Sequence, residues 1–126
     1  MPVRKQYHFQ PGDRRLDAWD VDRLLDLTRG FPVKQIPIAP IWQLDSLYWT
    51  EPMTPRKIAD HVRLTNEVDV RHPIILGSDG RVMDGMHRVL RALLEERRSL
   101  AAVQFEVDPE PDYRDVMPDE LPYPDG

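Results

Sequence analysis

The run Arg81-Val82-Met83 ends at Asp84-Gly85, and a helical pattern opens directly after it with Met86-His87-Arg88. These residue types in this order suit anion chemistry. The first turn of a helix presents free N–H groups and the positive end of the helix dipole, so it attracts phosphate. Gly85 would let a ligand approach the backbone closely. His87 and Arg88 add side-chain donors within the same turn, a guanidinium matching phosphate oxygens in a two-pronged contact. Arg91 lies one turn on, between His87 and Arg88 around the helix. Asp84 is either the helix N-cap or a group that helps hold Mg2+ beside a phosphate, and it is the candidate catalytic residue. A plainer reading fits the same residues: a capping aspartate and a solvated cationic helix face, with no ligand.

The elements that must position this turn are legible in part. His72-Pro73-Ile74-Ile75-Leu76, the turn residues Gly77-Ser78-Asp79-Gly80 and Arg81-Val82-Met83 predict a hairpin over 73–83. A helix is predicted over Met86–Arg98, with Met86, Val89, Leu90, Leu93 and Leu94 as its buried stripe. A strand follows over Leu100–Val107. Upstream, Thr54-Pro55 combines an N-cap hydroxyl with proline at the first helical position, so a helix runs from there to about Val68. Its expected buried face is Ile58, Ala59, Val62 and Thr65 or Asn66. A short helix from Asp17 or Asp20 ends at Gly30, and 33–38 reads as an edge strand. Residues 39–53 form a loop whose large side chains, Trp42, Leu44, Leu47, Tyr48 and Trp49, either cover the core or form a platform on which nucleic-acid bases stack. Residues 1–16 show no period.

Length and charge narrow the function classes. A chain of 126 residues with no cysteine excludes disulfide scaffolds, Cys-ligated zinc and thiol nucleophiles. No apolar run approaches a membrane span, and residues 1–10 lack a signal-peptide core, so a cytoplasmic protein with no membrane partner is expected. The net charge is -5. Seven acids and one arginine lie in 108–126 together with five prolines, which predicts an extended or disordered acidic tail. The body over 1–107 is near neutral, with no basic stripe for duplex DNA, so sequence-specific DNA binding is not expected. The organisation expected is one domain over 1–107 followed by the tail. Its fold class is a small α/β (α+β) domain, with about three helices around a mixed sheet.

The run from His72 to Leu93, with Leu100-Ala-Ala-Val-Gln-Phe after it, resembles the ParB/sulfiredoxin-like superfamily over roughly 33–107. Members carry a "P-I-hydrophobic" strand, a turn with D-G, a second strand, then a G-x-H-R or G-E-R-R box that opens a helix. In that superfamily the box cradles nucleotide phosphates: ATP in sulfiredoxins, CTP in ParB proteins, ADP in related serine kinases. The resemblance implies phosphate contacts at Gly85, Met86, His87 and Arg88. It also places the preceding helix beside the box, so that Lys57 and His61 could reach the same ligand. Met86 stands where sulfiredoxins have their catalytic cysteine, which removes that chemistry. ParB boxes place a glutamate before paired arginines, where this chain has Met86-His87-Arg88. A helix-turn-helix segment after the last strand, as in ParB proteins, is not expected. The function implied is binding of a nucleotide or other phosphorylated small molecule, Mg2+ entering with it, with hydrolysis or phosphoryl transfer as the activity. The competing class is a non-catalytic interaction module whose arginine face and acidic tail meet a protein partner or a second copy of the chain.

Overall fold

A computed structural model describes residues 5–49 and 51–123. The chain folds as α+β and divides into two compact units, 1–29 with 108–126, and 30–107. The first 29 residues thus share a unit with the acidic segment, whereas the sequence reading placed them in one body with 30–107.

In the unit containing both termini, β1 (Tyr7–Pro11) and β2 (Leu16–Asp20) form an antiparallel hairpin, and β7 (Tyr113–Val116) pairs with β2. The acidic segment is therefore more ordered than its composition predicts. Its order comes from contacts distant in sequence: Trp19 Nε1 donates to Pro109 O at 2.8 Å, Asp112 N to Ala18 O at 2.9 Å, and Leu121 is buried. Asp20 caps α1 (Val21–Leu27), accepting from Asp22 N at 2.9 Å.

In the 30–107 unit, four strands take the order β3-β6-β4-β5. They are β3 (Lys34–Pro37), β4 (Ile74–Leu76), β5 (Val82–Asp84) and β6 (Ser99–Gln104). β6 runs antiparallel to β3 and parallel to β4, so the sheet is mixed. A neighbour on each side leaves Leu100 to Val103 of β6 buried, whereas Val107, expected within the strand, lies beyond its end and is exposed. Ile74, Leu76, Val82, Met86, Val89, Leu100 and Ala102 form the core with Ile38 and Ile41.

Two helices flank this sheet, α2 (Pro55–Glu67) and α3 (Met86–Leu94). Thr54 caps α2 through Lys57 N at 3.3 Å, as its sequence predicts. The expected buried faces need correction. On α2, Ile58 and Val62 are half exposed and only Thr65 is buried. On α3 the buried residues are Met86, Val89 and Ala92, while Leu93 and Leu94 face out. α3 also ends before the expected Arg98, because Glu96 takes a left-handed φ of 58° and turns the chain toward β6. Among the described residues, no helix is long and apolar enough to cross a membrane.

The loop before α2 docks on the edge strand β5. Gln43, fully buried, donates from Nε2 to Val82 O at 3.1 Å and accepts from Val82 N at 2.7 Å. The side-chain amide thus fills the ladder position that an edge strand leaves open. It also anchors the segment leading to Trp49 and Glu51.

Candidate functional site

β5 delivers Asp84 and Gly85 to the start of α3, as the hairpin-and-helix pattern predicts. The roles of the residues there differ from the expected ones. Gly85, with φ 106°, is itself the N-cap residue, and no side chain caps the helix. Its missing side chain makes room for protein: a Cβ would sit 2.7 Å from Ile74 Cγ2 and 3.2 Å from Arg88 Nε. Asp84 is the last residue of β5 and pairs with Arg88 Nη2 at 3.0 Å. Burial raises the Asp84 carboxyl above its usual range, outweighing Arg88 and the Gly85 amide, which both favour the ionised form. A buried carboxylate already engaged with a guanidinium is not placed as a direct Mg2+ ligand. Among the described residues no group of three or more His, Asp or Glu is arranged to hold a metal ion.

Arg88 does not reach outward. Its Nη1 donates to His72 O at 3.2 Å and Pro73 O at 2.8 Å, so it ties the segment entering β4 to the turn that opens α3. Arg91 donates from Nη1 to Asn66 O and to Val68 O, the latter at 3.3 Å, and lies beside Glu95. It satisfies carbonyls left open at the C-terminal end of α2. Both arginines clamp the backbone, where a free anion receptor was expected. Beyond Arg91, a shallow cleft is lined by Val68, Asp69, Val70, Arg71, Glu95 and Arg97.

His87 and His61 meet. His61 Nδ1 lies 2.8 Å from His87 Nε2, and His61 Nε2 lies 3.0 Å from Glu51 Oε1. Lys57 Nζ stands 3.8 Å from the other oxygen of Glu51. Trp49 roofs the pair, its ring 4.1 Å from that of His61 and 5.2 Å from that of His87. Tyr48 packs edge-on against Trp49 at 5.3 Å. Burial, with Asp84 nearby, pushes its hydroxyl up to about 12. His87 is pushed down to about 4, chiefly because burial disfavours its cation and secondarily because His61 is close. α2 thus brings His61 against His87, while Lys57, four residues earlier, meets Glu51.

Glu51 is the residue that sequence reasoning missed. It lies in an irregular loop, and no period or spacing ties it to a histidine ten residues on. Of the two readings of the loop's large side chains, Trp49 follows the first: with Leu44 and Tyr48 it packs against the core, and its ring also covers the two imidazoles.

No family model, no curated protein and no solved structure matches this chain. The reading of the site therefore rests on its own geometry.

Proposed function

We propose that this protein binds a nucleotide or another phosphorylated small molecule at the turn 84–88 and acts on the phosphate by hydrolysis or transfer. The observation that carries this reading is the opening of α3 beside a cluster of donors. The amides of Arg88 and Val89 both bond to Gly85 O, at 2.9 and 3.1 Å, while those of Met86 and His87 have no acceptor within the helix. They lie at the positive end of the helix dipole, where an anion is favoured. Lys57, its side chain half exposed beside Glu51, is the donor available to phosphate oxygens. Arg88 and Arg91 hold the frame. Mg2+ enters on the phosphates and takes no protein ligand at Asp84.

The test is a thermal-shift titration with ATP, ADP, CTP and inorganic phosphate, each with and without Mg2+. A ligand at 100 times its Kd stabilises by ~2.7 kcal/mol, enough to move the melting temperature by about 4 °C or more. Lys57→Ala should weaken the shift and leave the unliganded melting temperature unchanged. No shift with any of the four sinks the reading.

A second reading has its own observation. Ile58 and Val62 of α2 are 50% and 54% exposed, apolar surface that an interaction module would cover with a protein partner or a second copy. A concentration-dependent dimer abolished by Val62→Lys would favour it.

A further inference from the structure

With His61 neutral, the contacts at Glu51, His61 and His87 fit one arrangement of protons. A carboxylate only accepts hydrogen bonds, so His61 must carry its proton on Nε2 to meet Glu51 Oε1 at 3.0 Å. A neutral His61 then has its lone pair on Nδ1. The 2.8 Å contact to His87 in turn requires the proton on His87 Nε2. Neutral His87 is left with a bare Nδ1, a base held in one tautomer by a neighbour that is itself oriented.

We propose that His87 Nδ1 is the proton acceptor for the oxygen nucleophile that attacks the bound phosphate, with His61 and Glu51 as the positioning residues that fix its tautomer and receive the charge. The proposal deepens the phosphate-binding reading and rests on it. Water, or the hydroxyl of an acceptor, forms the new bond to phosphorus as the bond to the leaving oxygen breaks, its electron pair leaving with that oxygen. The nucleophile's proton passes to His87 Nδ1, and the Nε2 proton of His87 passes to His61 Nδ1. The positive charge comes to rest on His61, against the Glu51 carboxylate and beneath the electron-rich face of Trp49. Burial makes His87 a poor place to keep that charge, which is why a second ring matters. The charged and titratable neighbours on this side are Glu51 from the loop and Lys57 and His61 from α2. On the β5 side they are Asp84, paired with Arg88, and Tyr48.

Two measurements decide it. Nitrogen-15 correlation spectra of the histidine rings at neutral pH should show His87 protonated at Nε2 and bare at Nδ1. A Nδ1–H tautomer overturns the proposal without any variant being made. Phosphate release from MgATP and MgCTP should be detectable at saturation for at least one of them. His87→Ala should lower kcat at least about 100-fold while the ligand-induced melting shift persists. Glu51→Gln should lower kcat with little change in KM and shift the acid limb of the pH profile, which a merely structural contact would not do. Binding without release, or release unchanged in His87→Ala, overturns the base assignment and leaves phosphate binding intact. If neither nucleotide shifts the melting temperature, the binding reading falls and this one with it.

Discussion

Arg88 Nη2 lies 3.0 Å from Asp84 Oδ2, across the turn that joins β5 to α3, and both side chains are largely buried, with exposures of 17% and 13%. The pair closes the strand-to-helix turn from within, and Arg88 Nη1 extends the closure to the carbonyls of His72 and Pro73. Arg88→Ala should therefore unfold the protein more easily rather than spare the fold. Breaking a buried pair by removing one partner costs roughly 3–5 kcal/mol, and some residual exposure places this pair near the lower end. Urea denaturation should show the loss. Arg88→Lys should recover little of it, since one ammonium cannot span a carboxylate and two carbonyls. Adding Asp84→Asn to Arg88→Ala should recover part, because the orphaned charge is gone. An Arg88→Ala protein as stable as wild type would refute this role.

Gly85 gives the second prediction. Its φ of 106° is a left-handed conformation that a side chain disfavours, and a Cβ there meets Ile74 Cγ2 at 2.7 Å. Ile74 is fully buried in the core and cannot retreat. Strain and overpacking together should make Gly85→Ala cost about 2–4 kcal/mol. Combining it with Ile74→Leu, which moves the branch away from Cβ and so removes Cγ2, tests whether the clash contributes: the double variant should be less destabilised than additivity requires.

The parts of the fold that sequence revealed are those governed by local chemistry. Thr54-Pro55 starts α2 because a hydroxyl and a proline satisfy the first turn without help from elsewhere. Gly77-Ser78-Asp79-Gly80 turns the β4–β5 hairpin for similar reasons. The missed parts depend on partners far along the chain. β7 pairs with a strand about a hundred residues away, Leu16 opposite Val116, and proline-rich acidic composition concealed it. The same holds at the site. Helical spacing placed His87, Arg88 and Arg91 in one turn and the next, but not the backbone carbonyls that occupy both arginines. Lys57 and His61 were legible only through the expected proximity of α2 to the box. Glu51, in a loop, had no such guide.

The acidic segment supplies the third prediction. Deleting residues 109–126 removes β7, the acceptor of the Trp19 indole and the buried Leu121. Burying a leucine contributes roughly 1.5–3 kcal/mol, and a unit this small has little to spare. Tyr7 also loses its ring contacts with Tyr113 and Tyr123, at 6.0 and 5.4 Å. Hydrogen exchange should show the amides of Tyr7–Asp20 losing protection in the truncated protein. Protection equal to the full chain would mean that the hairpin stands without β7.

The last prediction concerns acid. His87 is held well below its ordinary 6.5, at about 4, so between these values the unfolded chain binds a proton that the native state refuses. Stability must then fall as pH drops from about 6.5 to about 4, and level off outside that window. Asp84 works in the opposite sense, because its raised carboxyl pKa makes the native state bind a proton more readily than the unfolded chain just above pH 3.8. The two contributions overlap, so the net curve alone does not isolate His87. The difference between wild type and His87→Gln does, since Asp84 is common to both. Melting temperatures measured from pH 7.5 to 4 should fall more steeply for wild type, with the divergence opening near 6.5. Parallel curves would mean that His87 is protonated as easily in the folded protein as in the unfolded chain. The imidazole beneath Trp49 would then be solvated rather than buried, and it could keep the charge that the relay is built to pass to His61.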